Sequence, residues 1–273
     1  MKGYILIKIL ELGHFNNWNE WYSKRKIALT ELEITAHENQ PVILGLNEDK
    51  QLGIVKGGYI VPLLDYFPSK IGAKNDEQKI ALSLLKDEKI PLKIISGVAG
   101  SGKTMLACAH AMQQLRRGDK AKIIIAKSMT PVGREIGHLK GSMEDKVKPW
   151  LGPFYDNFIE CGVAPYEIDA MVDEGVMEIT PITFIQGRSI SNAVIIIDEV
   201  QNLDMNVLKQ IITRAAQGSE IILLGDGTQI FERVNSGSID TLVEKGRESN
   251  VVGAIHLSKS LRSSLADWAV TNL

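Results

Sequence analysis

A chain of 273 residues, 44% apolar and 23% charged, holds enough hydrophobic material for one large core or an ordinary core with a smaller appendage, which excludes a disordered or fibrous polypeptide. Its formal net charge of −2 provides no global attraction for nucleic acid, so such a partner would need a local basic patch. No apolar run approaches the length of a membrane span, and His14, His37, His110, His138 and His256 lack metal-ligand spacing.

The opening stretch MKGYILIKIL has the lysine-then-apolar look of a secretion signal, but Lys8 and Glu11 interrupt it and no small-residue cleavage site follows. It reads as a strand or a buried arm. Cys108 and Cys161 have no C-x-x-C partner, which fits two inert thiols in a reducing, cytoplasmic setting, with a bridge between them left open. Across residues 1–70 the apolar runs are short, PVILGL and YIVPLL, and are separated by the turn signals NEDK and Gly57-Gly58. This pattern predicts a small β-rich N-terminal appendage. Trp18, Trp21 and Tyr22 are either its minor core or faces on which bases stack.

Composition shifts at Pro68 to Gly72, and a second region is expected over residues 71–273. Asn75 to Gln78 opens a helical pattern, QKIALSLLKDEK, that ends before Pro91. Asn75 followed three residues later by Gln78 resembles a capping box. A second reading gives Gln78 the adenine edge of a nucleotide, since an amide both donates and accepts.

A short apolar run from Lys93 then leads into Gly97-Val98-Ala99-Gly100-Ser101-Gly102-Lys103-Thr104, which fits G-x-x-x-x-G-K-[ST] at every fixed position. The glycines allow a tight turn whose N–H groups point inward, Lys103 reaches the β- and γ-phosphates, and the Thr104 hydroxyl is placed for Mg²⁺. The following MLACAHAMQQLRR has helical spacing, and Gly118 stands where a cap belongs.

Further strands are predicted at Lys122 to Lys127, Val176 to Thr180, Ala193 to Asp198, Ile221 to Asp226 and Gly253 to Ser258, alternating with helical stretches such as NVLKQIITRAA. The implied fold is α/β, a doubly wound, mainly parallel sheet with its ligand at the carboxyl ends of the strands. Ser128 to Phe158 is rich in glycine, proline and charge and reads as a long functional excursion. Lys127, Arg134, His138, Lys140, Lys146 and Lys148, beside Trp150, Phe154 and Tyr155, form a candidate patch for single-stranded nucleic acid. Glu135, Glu144 and Asp145 offset that charge, so a solvated structural loop is the competing reading.

The run AVIIID ends in the acid pair Asp198-Glu199, as a Walker B strand does. Asp198 would hold Mg²⁺, and Glu199 would orient and deprotonate the attacking water, which favours hydrolysis over transfer to a metabolite. The next strand leads to Gln229, where an amide would sense the γ-phosphate or position water. With Gln201, these residues look like the DExQ and GDxxQ pair of superfamily 1 helicase cores.

The segments KNDEQKIALSLL, GVAGSGKTMLA, TPVGREIGHLKGSMEDKVKPWLGPFYDN, ITPITFIQGRSISNAVIIIDEVQN, IITRAAQGSEIILLGDGTQI and LSKSLRSSLADWA together resemble the PhoH-like ATPase family. The similarity is greatest to the ATPase half of proteins that fuse a PIN-type nuclease to a PhoH domain, with a weaker likeness over Leu32 to Leu64 to the spacer in those fusions. Too few residues precede the spacer for the nuclease half, which is expected to be missing.

The resemblance implies a RecA-like P-loop core, ATP and Mg²⁺ as ligands, RNA or single-stranded nucleic acid as partner, an RNA helicase-like activity, and a homo-oligomeric ring, a hexamer. It supports Gly102, Lys103, Thr104, Asp198, Glu199 and Gln229, and draws attention to Arg188 and Arg262. Gln186, Val200, Gly227 and Leu261 depart from the residues usual in the family.

A superfamily 1 helicase closes two RecA-like domains on one nucleotide, and the second supplies an arginine. With one such domain, a neighbouring subunit is the natural donor, and Arg262 and Arg188 are the candidates, against a surface salt bridge for each. A nucleotide-gated assembly module without motor activity is the alternative function. A small-molecule kinase is a third reading that Glu199 and Gln229 oppose.

Overall fold

The strands of this chain form two sheets. The structure is a computed structural model that describes residues 8–10, 18–45, 50–127, 143–226 and 238–261. The N-terminal elements are β1 (Lys8–Leu10), α1 (Trp18–Lys24), β2 (Ile27–Ala28), β3 (Pro41–Leu44), β4 (Gln51–Lys56) and β5 (Tyr59–Pro62). They form a sheet in the order β1-β3-β4-β5-β2, with β1 parallel to β3 and the remaining pairs antiparallel. Gly57 and Gly58 join β4 to β5 with positive φ at both positions, the conformation a two-residue hairpin loop needs.

Trp21, Ile27, Val42, Leu44, Val55 and Ile60 are its core. A Cβ on Gly53 would stand 2.7 Å from Ile60 and 3.3 Å from the Trp21 ring, so the bare backbone there admits the indole. Of the three aromatic residues proposed for this core, Tyr22 is corrected: it is 57% exposed. The neighbouring Trp21 takes the inward face of the short helix, and the next residue of a helix necessarily points elsewhere.

The second sheet is built from β6 (Leu92–Gly97), β7 (Lys122–Lys127), β8 (Met177–Pro181), β9 (Ala193–Asp198), β10 (Glu220–Gly225) and β11 (Val252–Leu257). Its order is β11-β6-β10-β9-β7-β8, and every pair is parallel. The intervening helices are α2 (Asp76–Lys86), α3 (Lys103–Arg117), α4 (Met143–Glu160), α5 (Pro165–Asp173), α6 (Met205–Ile212) and α7 (Ser238–Gly246). Successive strand residues face opposite ways, so Ile95 packs with Leu106, Phe154 and Ile80 on one face, while Ile94 packs with Leu208 and Ile211 on the other. Helices on both faces explain why these strands are continuously apolar.

The long excursion is shorter than expected, because α4 begins at Met143 and buries Phe154 and Phe158 in the core. Phe154 is therefore not a stacking face for a base. Its four-residue spacing to Phe158 is a helical stripe that the surrounding charge obscures. Tyr155 donates its hydroxyl to Asp169 at 2.5 Å. Arg134, His138 and Lys140 lie outside the described residues. Cys108 and Cys161 are both buried and free. Among the described residues, no helix is long and apolar enough to cross a membrane.

The two sheets meet near the start of β11. Asn39 donates to the Val252 carbonyl at 2.8 Å, and Lys56 pairs with Asp87 at 2.7 Å.

Candidate nucleotide site

The glycine-rich loop connects β6 to α3 and is held from several sides. Gly97, Gly100 and Gly102 all have positive φ, at 151°, 76° and 90°. Two of them also have no room for a side chain. A Cβ on Gly97 would stand 2.3 Å from the Leu257 carbonyl oxygen, and one on Gly102 would stand 2.7 Å from Gln78 Nε2. Lys103 Nζ donates to the carbonyls of Gly97 at 2.6 Å and Val98 at 2.9 Å. The Val98 N–H donates to the Leu257 carbonyl at 3.1 Å, and the Leu261 N–H donates to the Gly100 carbonyl at 3.0 Å.

Gln78 is buried against this loop. Asn75 caps α2 by accepting from the Gln78 N–H at 2.9 Å. The Gln78 side chain accepts from the Lys74 N–H at 2.8 Å and donates to the Ser101 carbonyl at 2.9 Å. Its amide is thus committed to the protein at both ends, and its placement is that of a brace for the loop rather than a free edge for adenine.

Asp198 ends β9 and Glu199 follows it, one strand beyond β10 from the phosphate loop. Burial, with the charge of Glu199 second, raises the Asp198 carboxyl to about 6, partly countered by Lys127, a bond from the Glu199 N–H and Lys103. Glu199 takes a left-handed conformation, φ 57°, that turns the chain out of the strand into a 3₁₀ turn over Val200–Asn202. Its Oε2 accepts from Gln201 Nε2 at 2.6 Å, and Gln201 Oε1 accepts from the Asp226 N–H at 3.0 Å. Gln201 therefore ties the end of β9 to the end of β10. A Cβ on Gly225 would crowd Gln201 Oε1 at 2.9 Å, which explains the glycine. Glu199 Oε1 also lies 3.7 Å from Lys127 Nζ.

These donors suit magnesium and a nucleotide. Mg²⁺ prefers hard oxygen ligands, few protein carboxylates and a share of substrate phosphate and water. Thr104 and Asp198 supply one hydroxyl and one carboxylate, and among the described residues no group of three His, Cys, Asp or Glu side chains is arranged as a metal cage. The Ser101 hydroxyl is buried in the loop without a hydrogen-bond partner among the described residues, so a donor is set aside where phosphate oxygens would lie.

Other predicted residues fall elsewhere. Arg188 forks onto Glu178 of β8, at 2.5 and 2.8 Å, on the edge strand of the sheet. Two parallel N–H···O bonds match the planar guanidinium to the carboxylate. As placed, Arg188 is the salt bridge and does not enter its own chain's site. Gln229 and Arg262 lie outside the described residues. Lys127 lies beside the acid pair, because β7 and β9 run in register with Lys127 opposite Asp198. His256, on β11, contacts the Ser96 hydroxyl at 3.0 Å through Nδ1, and burial lowers its pKa below the usual imidazole value. Neither role had a local sequence signal.

A parallel sheet with a phosphate loop after one strand and a paired acid after another, near enough for the loop lysine to act on the buried carboxyl, is the architecture of the P-loop nucleoside triphosphatases. The family model described as PhoH-like protein matches residues 70–272, and the chain belongs to that family.

It is 35% identical over 270 residues to Protein PhoH2 of Bacillus subtilis, covering 92% of this chain and 60% of that protein. It is 34% identical over 223 residues to Protein PhoH2 of Thermobispora bispora, covering 80% of this chain and 49% of the relative. The chain thus spans only about half to three fifths of the length of these relatives. Among solved structures, the large terminase of a thermophilic bacteriophage aligns at 11% identity with a TM-score of 0.45, covering 73% of this chain and 50% of the terminase. The Pif1 helicase of Candida albicans aligns at 17% identity with a TM-score of 0.35, covering 74% and 43%.

Proposed function

We propose that the chain hydrolyses ATP and couples hydrolysis to translocation along, or unwinding and remodelling of, RNA or another single-stranded nucleic acid. The observation that carries the ATPase reading is the acid pair at the end of β9, in which Gln201 orients Glu199 while Asp198 lies within electrostatic reach of Lys103. Lys103 and the loop N–H groups bind the β- and γ-phosphates. Glu199 takes a proton from water as its oxygen bonds to the γ-phosphorus, the bond to the β-bridging oxygen breaks, and ADP and phosphate leave. Thr104 and Asp198 would hold Mg²⁺, which would supply neutralisation of the phosphate charge. Gln229 is proposed as the γ-phosphate sensor.

The cation that stabilises the transferring phosphoryl group is proposed to come from Arg262 of a neighbouring subunit in a homo-oligomeric ring, a hexamer by family expectation. Arg188 is the weaker candidate, given its bond to Glu178. One observation favours the alternative of a nucleotide-gated assembly module. Burial of Phe154 removes one of the three stacking faces expected for a nucleic-acid path.

ATP turnover measured with and without single-stranded RNA tests both readings. Stimulation by RNA is expected in the wild type, with Glu199→Gln retaining ATP but turning over at least about a hundredfold more slowly. Wild-type turnover in Glu199→Gln would sink the assignment of the base, and turnover indifferent to RNA would favour the assembly module. In the same assay, mixing Arg262→Ala with Lys103→Ala subunits restores activity only if the arginine acts across the boundary.

A further inference from the structure

Three consecutive residues in the first turn of α2 reach three different parts of the molecule. Asp76 accepts from Lys50, just before β4, at 2.5 Å. Gln78 donates to the Ser101 carbonyl of the phosphate loop. Glu77, between them, accepts from Ser258 twice: Oε2 from the backbone N–H at 2.7 Å and Oε1 from the hydroxyl at 2.5 Å. The first contact joins two solvent-exposed groups, and an ion pair of that kind contributes little. The Glu77 contact differs, because one of its two bonds fixes main chain.

Ser258 is the first residue beyond β11. Up to Leu257 the chain is fixed by pairing with β6, where Leu257 lies opposite Gly97. From there it runs along the phosphate loop, with the Leu257 carbonyl on the Val98 N–H and the Leu261 N–H on the Gly100 carbonyl. Gly100 in turn lies beside Ser101, whose carbonyl Gln78 holds. Adjacent residues of one helical turn therefore brace the loop from two flanks: Gln78 directly, and Glu77 through residues 258–261.

We propose that Glu77 is a positioning residue for the phosphate loop, acting by pinning Ser258 so that the Leu261 N–H stays on the Gly100 carbonyl. This rests on the reading of the loop as an ATP hydrolysis site. The loop glycines and Lys103 bind phosphate whether or not one flank is braced. Aligning the γ-phosphate with the attacking water demands a narrower geometry. Loss of Glu77 therefore falls on kcat rather than KM.

The test combines steady-state ATP turnover with residue-resolved amide hydrogen exchange in Glu77→Ala, Glu77→Gln and Ser258→Ala. In Glu77→Ala, kcat falls about tenfold with KM changed less than about twofold, and exchange at the Ser258 and Leu261 amides accelerates about tenfold while β11 stays protected. Glu77→Gln keeps one carbonyl acceptor and recovers part of both losses. Ser258→Ala keeps the backbone bond and loses less than Glu77→Ala. If Glu77→Ala fails to fold, the Gln and Ser258 variants must show the same ordered losses.

Unchanged exchange at both amides overturns the proposal whatever the turnover. Accelerated exchange with an unchanged kcat overturns the positioning role in the reaction. A wild-type protein without ATP turnover sinks the hydrolase reading, while exchange still decides whether Glu77 places the segment.

Discussion

Asp198 carries its charge where the protein resists it. Burial and the neighbouring Glu199 raise its carboxyl from an ordinary 3.8 to about 6. The folded state therefore holds this proton more tightly than the unfolded chain does. Between those two values folding loses stability as pH rises, and above about 6 the whole penalty is present. Asp198→Asn is expected to stabilise the metal-free protein at pH 8 by about 1 to 3 kcal/mol, with a much smaller gain at pH 4, while abolishing Mg²⁺-dependent turnover. Urea unfolding in chelator at the two pH values checks this, and an equal gain at both would refute it. The acid pair was legible in the sequence only in company: an apolar run that stops at two carboxylates means little by itself and gains its meaning from the phosphate loop that precedes it. Lys127 and Gln201 were not readable to the same degree. Lys127 reaches Glu199 only because β7 lies beside β9, and Gln201 matched a motif without revealing that it bridges to Asp226.

At the scale of elements, a buried polar chain crosses between the sheet and its helices. Lys93 of β6 donates to Glu220 of β10, Glu220 meets His110 of α3 at 2.9 Å, and His110 meets the Tyr66 hydroxyl at 2.9 Å through its other nitrogen. Burial alone would raise the Glu220 carboxyl, but the His110 and Lys93 contacts outweigh it and hold it at about 2. Burial, opposed by Glu220, lowers the pKa of His110. A neutral His110 donating from Nε2 and accepting the Tyr66 hydroxyl at Nδ1 satisfies every member. The contribution of Glu220 is complete above the ordinary 4.5 and is lost as pH falls toward 2. Lys93→Ala should destabilise by about 3 to 5 kcal/mol, because it strands a buried carboxylate. Lys93→Met combined with Glu220→Gln removes both charges, keeps an acceptor for His110, and should recover most of that loss in chemical denaturation. A double variant as unstable as the single one would contradict this account. Strands buried on both faces announce themselves as apolar runs, but the meaning of Lys93 inside such a run depends on a partner 127 residues away. For the same reason α4 was obscured: charge on its outer face hid the stripe that buries Phe154 and Phe158.

For the whole molecule, the parallel sheet was readable from repeated apolar runs, whereas its strand order and the docking of the N-terminal sheet through Asn39 were not. No local pattern states that β6, the first strand of the parallel sheet, lies between β10 and the last strand. That order bears on how the protein is made. A chain emerging from the ribosome exposes its glycine loop early, yet the carbonyl that receives the Val98 N–H and the N–H that reaches Gly100 belong to Leu257 and Leu261. Until those residues are released, β6 has one open edge and its loop lacks two anchors. On the proposed ATP reading, nucleotide retention therefore becomes a mark that β11 and the residues after it have docked beside β6. Arrested chains that present residues only as far as Ser249 should fail to retain ATP, whereas chains presented through Leu261 should retain it; equal retention by both would show that β11 is dispensable to the cradle.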